Sequence, residues 1–170
     1  MEELNRVSVA EFKDQNKLPV VLILDNVRSL HNVGATFRTA DAFAVEKIYL
    51  CGITGTPPNK EINKTALGAT ESVTWEYIAS TAELTRQLKT TGYQLIAIEQ
   101  AERSVSLTDF TPAPGQKYAL VFGNEVFGVE DEVMQLADTV VEIPQFGTKH
   151  SLNISVAVGV VVWDILSKLK

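Results

Sequence analysis

Cysteine is almost missing from this chain: Cys51 is the single thiol in 170 residues. An internal disulfide is therefore excluded, and a reducing, cytoplasmic setting is expected. Metal ligands are equally scarce. Two histidines, His31 and His150, beside one cysteine do not make a ligand set, so no metal is expected. Long apolar runs are also lacking. The most apolar stretch, Ile154 to Val162, stops at Trp163 and Asp164, too short to span a bilayer. No charged segment followed by an apolar one opens the chain, so neither a leader nor a membrane partner is expected. No G-x-G-x-x-G follows the first apolar run, and there is no Walker A loop and no G-x-S-x-G elbow. Dinucleotide binding, nucleotide hydrolysis and serine-hydrolase chemistry lose their usual support. Basic residues are in deficit, 15 Lys and Arg against 21 Asp and Glu, for a net charge of −6. Residues 1–70 carry eight of each sign, so the deficit falls in 71–170, with seven bases and thirteen acids. A dedicated nucleic-acid binder is usually basic. Contact with a polyanion would need a local basic surface, and the N-terminal half is the better placed.

What is present is ordinary for a folded domain: 45% apolar and 21% charged residues. One domain over 1–170 is expected, with a helical segment at 1–19 and a core at 20–170. Ser8 and Glu11 have capping-box spacing and open a short helix. Val20 to Leu24 is a continuous aliphatic run, as in a strand buried on both faces of a parallel sheet. A helix is expected from Asn32, with Val33, Phe37, Ala40 and Ala44 on one face and Arg38 within reach of Asp41. Strands are expected at 47–50, 73–78, 93–98, 118–122 and 140–143. Helices are expected from Ser80 to Gly92, from Glu130, and from Ser151 to Leu169, while 61–69 is ambiguous. Alternating strands and helices give an α/β class with a mainly parallel sheet flanked by helices.

Three loops that follow strands carry polar residues without an obvious structural duty. The first holds Asn32, Gly34 and Arg38, the second Gly123, Asn124, Glu125 and Gly128, the third Ser151 and Asn153. Loops at the carboxyl ends of strands are where α/β sheets meet ligands. Each residue also has a plain structural reading. Asn32 and Ser151 suit helix N-caps, and Gly123 and Gly128 suit tight turns. Glu125 is less easily dismissed, because a carboxylate after a buried strand needs solvent or a partner.

Taken together, the three loops resemble the TrmH (SpoU) branch of the SPOUT superfamily, RNA ribose 2′-O-methyltransferases that use S-adenosylmethionine. Asn32, Gly34 and Arg38 match that family's N-x-G-x-x-x-R motif. Gly123, Glu125 and Gly128 match G-x-E-x-x-G. Ile143, Pro144, Gly147, Ser151, Leu152, Asn153 and Ser155 match I-P-x-x-G…S-L-N-x-S. The resemblance covers about residues 20–168. It implies a SPOUT-type fold with a C-terminal trefoil knot and a homodimer with the site at the interface. It implies S-adenosylmethionine as cofactor, released as S-adenosylhomocysteine, held around Gly123, Asn124, Glu125, Gly128, Ile143, Pro144, Gly147, Ser151 and Leu152.

The same resemblance places Arg38, Asn32, Glu125, Ser151 and Asn153 in the catalytic group. An arginine guanidinium keeps its proton in proteins, so Arg38 is read as gripping a phosphate and stabilising a developing alkoxide rather than as the base. The RNA surface is expected at Arg28, Arg38, Lys60 and Lys64, with tRNA favoured over ribosomal RNA. A non-catalytic RNA-binding relative is the reading of another class. Finally, the last helix is apolar on nearly every side, which predicts burial on more than one side and hence a partner subunit.

Overall fold

The computed structural model describes residues 6–170; residues 1–5 of the expected N-terminal segment lie outside the described range. Among the described residues seven strands form one sheet: β1 (Leu18–Asp25), β2 (Val45–Cys51), β3 (Trp75–Ile78), β4 (Tyr93–Ile98), β5 (Val105–Ser106), β6 (Lys117–Phe122) and β7 (Thr139–Glu142). Their spatial order is β3-β2-β1-β6-β4-β7-β5, and every strand pairing is parallel. The aliphatic run of β1 explains its central place. Val20, Leu22 and Leu24 enter one core cluster and Val21 and Ile23 the other, so both faces of the strand are buried.

Helices cover both faces. On one side lie α1 (Val9–Asp14), α2 (Leu30–Ala42), α3 (Lys60–Ala66), α4 (Ala69–Ser72) and α7 (Ile154–Leu169). On the other lie α5 (Thr81–Thr90) and α6 (Asp131–Leu136). The Ser8–Glu11 capping box forms as its spacing predicts. The ambiguous stretch 61–69 resolves into α3 and the turn leading to α4. Two helix starts differ from expectation. Helix α2 begins at Leu30, because the Ser29 hydroxyl accepts the Asn32 N–H; Ser29, not Asn32, is the N-cap. Helix α7 is capped by Asn153 rather than Ser151, since Asn153 Oδ1 accepts the Ser155 N–H at 2.9 Å. Two strands differ as well. The third is shorter than 73–78, and β5 forms within the long 99–116 connection by pairing outside β7.

Helix α7 turns Val158, Val161, Val162 and Ile165 onto the sheet and α2. Val156, Val160 and Trp163, at helical spacing on the other side, remain exposed. Because the sheet is parallel, the carboxyl ends of β1, β6, β4 and β7 share one edge. Chain order reverses about β1 and β6, so the loops after these strands meet at a topological switch point.

Candidate active site

The turn after β6 is the most tightly built of these loops. Asn124 and Gly128 exchange backbone hydrogen bonds in both directions, each 2.9 Å. Asn124 Oδ1 accepts the N–H groups of Val126 (2.8 Å) and Phe127 (3.1 Å), and its Nδ2 donates to the Asn26 carbonyl at 2.8 Å. The glycines follow from this closure. A Cβ on Gly123 would sit 2.2 Å from backbone atoms of Gly128 and Val129, and Gly128 has a left-handed φ of 71°. The turn therefore requires both glycines, and Asn124 is its lock. Gly34 of the first motif is likewise a packing residue: its Cβ would fall 2.2 Å from the Ile62 carbonyl oxygen of α3.

Glu125 projects from that turn and accepts the N–H groups of Arg28 and Ser29, both at 3.0 Å. Partial burial pushes its pKa up, but the backbone donors and the Asn32 side chain outweigh this and hold the carboxyl below its ordinary value of 4.5. Glu125 is thus ionised and engaged, an organiser of the loop before α2. Beneath it runs a polar network that sequence reasoning did not single out. Buried Asp25 accepts the Thr81 hydroxyl at 2.6 Å and the Glu130 N–H at 2.9 Å. Asn26, at a left-handed φ of 56°, donates to Glu130 at 2.6 Å and accepts from Ile53 N–H at 3.0 Å.

These loops surround a cavity of about 440 Å³, within the size range of small-molecule sites. Asn32, Gly123, Asn124, Glu125, Gly128, Ile143, Ser151, Leu152 and Asn153 all line it, joined by residues not anticipated from sequence: Glu99, Glu142, Gln145, His150 and Ala157. Glu99 accepts the Val129 N–H at 3.2 Å and packs under Gly128. Its only sequence signal was its position directly after β4. Among the described residues the lining holds three carboxylates and neither lysine nor arginine. Ser151 is exposed, and among the described residues its hydroxyl makes no hydrogen bond; Asn153 spends its oxygen on the α7 cap and leaves its Nδ2 without a described partner.

Several expected residues lie elsewhere. Pro144 and Gly147 shape the loop but do not line the cavity. Arg38 is exposed on α2 and lines a second, wider groove with Arg6, Lys17, Asp41 and Lys170. Its expected pairing with Asp41 does not form; Asp41 accepts the Ser72 hydroxyl instead. Lys64 pairs with Glu61 at 2.9 Å, and His31 meets the same carboxylate at 2.8 Å, so Glu61 offsets one of the two lysines at the α3 end of the expected RNA surface. Lys60 starts α3 on the exterior, and Arg28 is exposed beside Glu125.

Residues 19–163, which include the β1–α2 loop, the β6 turn and the α7 cap, match the model of the SpoU rRNA Methylase family. The chain belongs to that family. It is 34% identical over 144 residues to the 23S rRNA (guanosine-2′-O-)-methyltransferase RlmB of Neisseria meningitidis serogroup B, covering 85% of this chain and 56% of that relative. It therefore spans little more than half of that protein's length. The A. aeolicus TrmH/SpoU tRNA modifying enzyme superposes with a TM-score of 0.83 at 28% identity, over 94% of this chain and 80% of that one. The AdoMet-bound rRNA methyltransferase from Sinorhizobium meliloti superposes at 0.81 and 28% identity, over 90% of this chain and 58% of that one. No helix among the described residues is long and apolar enough to cross a membrane.

Proposed function

We propose that this SpoU-family chain transfers a methyl group from S-adenosylmethionine to a ribose 2′-hydroxyl of RNA, with tRNA favoured over ribosomal RNA. One observation carries the reading. Residues from all three motifs, Asn32, Glu125, Ser151 and Asn153 among them, meet at a single cavity whose lining suits this cofactor, with Arg38 outside it. S-adenosylmethionine bears a sulfonium and an ammonium against one carboxylate, and the cavity offers Glu99, Glu125 and Glu142 with no lysine or arginine. Ile98, Phe122, Ile143, Leu152 and Ile154 add an apolar wall suited to a purine ring. When bound, the cofactor supplies an electrophilic methyl group, and the chain must align the hydroxyl with it and accept charge.

The residues divide that work. Gly123, Asn124, Gly128, Ile143 and Leu152 form the cofactor wall, while Pro144 and Gly147 set the loop's course. Ser151 and the Asn153 amide present hydrogen-bonding groups to the ribose. Glu125 and Asn32 hold the β1–α2 loop against the site. Arg38 stabilises the alkoxide that develops as the hydroxyl loses its proton. Its place outside its own chain's cavity lining favours a homodimer in which it serves the partner's site. The exposed Val156, Val160 and Trp163 stripe supplies an apolar face for that contact.

Calorimetric titration with S-adenosylhomocysteine, followed by mass spectrometry of tRNA and rRNA nucleosides from a deletion strain, tests the reading. Binding and the loss of one 2′-O-methylated nucleoside from tRNA are expected. Loss from ribosomal RNA would correct the substrate, and binding with no lost nucleoside would favour a non-catalytic relative.

A further inference from the structure

We propose that Phe127 is a stacking platform for the base of the nucleotide being methylated. The inference rests on the methyltransferase reading and assigns part of its substrate recognition. Phe127 is 85% exposed at the tip of the β6 turn and belongs to neither core cluster. An aromatic ring left in water at a turn does nothing for the fold, yet its backbone is held firmly. Asn124 Oδ1 accepts the Phe127 N–H at 3.1 Å, and the Asn124–Gly128 bridge closes the turn beneath it. Phe146 is still more exposed, at 96%, but no hydrogen bond among the described residues fixes its backbone, which is why the role falls to Phe127.

The surroundings point to a nucleobase rather than to another apolar surface. Glu125, two residues before Phe127, binds the backbone of Arg28 and so stations that exposed cation beside the turn. Val126, between them, lines the cavity, which puts the tip at its lip. An aromatic face next to a guanidinium is the combination that binds unstacked bases beside their phosphates. Covalent geometry agrees. A ribose that presents its 2′-hydroxyl to the cavity carries its base on the adjacent carbon, so the base must come to rest on the rim.

The test compares wild type with Phe127→Ala, Phe127→Leu and Phe127→Trp in methyl transfer to bulk tRNA and rRNA from a deletion strain. Ala and Leu should each raise KM for RNA by about tenfold or more, the scale of one lost stacking contact. S-adenosylhomocysteine affinity and the subunit mass by light scattering should not change. Trp should keep activity, and bulk RNA should quench its fluorescence beyond the quenching of wild type. Full activity in the Leu variant, an unchanged KM in the Ala variant, or no added quenching would overturn the proposal. So would a fall in subunit mass, which would assign the ring to a contact between copies. Wild-type protein that methylates neither RNA would instead overturn the methyltransferase reading, and this inference with it.

Discussion

The Glu125 carboxylate accepts the backbone N–H groups of Arg28 and Ser29, each at 3.0 Å, and so ties the turn after β6 to the loop after β1. Both donors lie just ahead of α2, the helix that carries Asn32 and Arg38. A carboxylate committed in this way is a poor proton acceptor, and its value lies in positioning.

Glu125→Gln tests that role. A carboxamide offers one acceptor where the carboxylate offers two, and it turns an N–H toward an N–H. The donors are close to solvent, so the expected loss of stability is only about 1 kcal/mol. Turnover should fall by about tenfold or more, equivalent to ~1.4 kcal/mol of barrier, with S-adenosylhomocysteine affinity nearly unchanged. The pH dependence has a definite sign. The folded pKa lies below the ordinary 4.5, so Glu125 contributes stability that is present above the unfolded value and disappears as pH falls through the folded one. Acid unfolding of wild type should therefore be steeper in this window than that of the Gln variant.

The acidic lining makes a second prediction. S-adenosylmethionine carries one positive charge more than S-adenosylhomocysteine, so the carboxylates should favour the substrate over the product and assist release. Glu142 is the cleaner probe, because among the described residues its carboxylate has no hydrogen-bond or ion-pair partner, whereas Glu99 also holds the Val129 N–H. Glu142→Gln should weaken S-adenosylmethionine by severalfold, about 1 kcal/mol for a charge pair near solvent, and leave S-adenosylhomocysteine alone. Equal losses for both ligands, measured by calorimetry, would show that the residue shapes the wall without sensing charge.

Much of this arrangement was legible in the residues, and the failures have identifiable causes. The aliphatic run of β1, the Ser8–Glu11 capping box and the Ser80 cap are local signals, and they located a strand and two helix starts to within a few residues. Asn32 is not the cap because the helix starts earlier, at Leu30, and the Asn32 N–H is itself a first-turn donor, taken by the Ser29 hydroxyl. Strand β5 escaped because two residues carry no period, and its pairing with β7 is set by the sheet rather than by its own sequence. Asn32, Asn124, Glu125, Ser151 and Asn153 stood out as polar residues in or beside the loops after strands, whereas Ile143 and Leu152 came only from the family resemblance. Glu99 and Glu142 were missed because a single glutamate at a strand end looks like any solvated charge. Lys64 shows what a sequence pattern leaves out. As a residue it is a cation, but Glu61 sits one turn away and His31 shares it. The knotted path implied by the family resemblance depends on threading order, which no local period encodes.

The pairing of Lys64 with Glu61 on α3 yields a third prediction. RNA affinity should fall steeply with salt, because each phosphate contact releases counterions. Arg28→Glu should weaken RNA binding strongly and reduce the salt slope. Lys64→Glu should do less, since Glu61 already offsets that charge. Filter binding with bulk tRNA at several salt concentrations checks both. A larger effect at Lys64 than at Arg28 would move the surface back toward α3.

Arg38 carries the last prediction, which joins chemistry to assembly. The residue is exposed, lies outside the cavity of its own chain, and lines a groove beside Phe43 and Leu166. Helix α7, which packs on α2, leaves Val156, Val160 and Trp163 in water. A helix so apolar needs cover, and a two-fold contact through α7 would cover the stripe while carrying Arg38 toward the neighbouring cavity. Arg38→Lys should then be nearly as damaging as Arg38→Ala, because lysine keeps the charge but loses the planar fork that engages a phosphate or ribose at two points. Val160→Asp should yield a monomer with little activity but an unaltered helical content by circular dichroism. The decisive experiment mixes two inactive variants. Arg38→Ala supplies an intact cavity, and Asn153→Ala supplies an intact arginine. Unfolded and refolded together, they form mixed dimers in which one site carries both lesions and the other carries neither. Activity should return to about a quarter of wild type, since half of the dimers are mixed on statistical assembly and each has one sound site. Mixed dimers that form and stay inactive would place Arg38 and Asn153 in the same chain's site, and a wild-type monomer by light scattering would remove the shared site altogether.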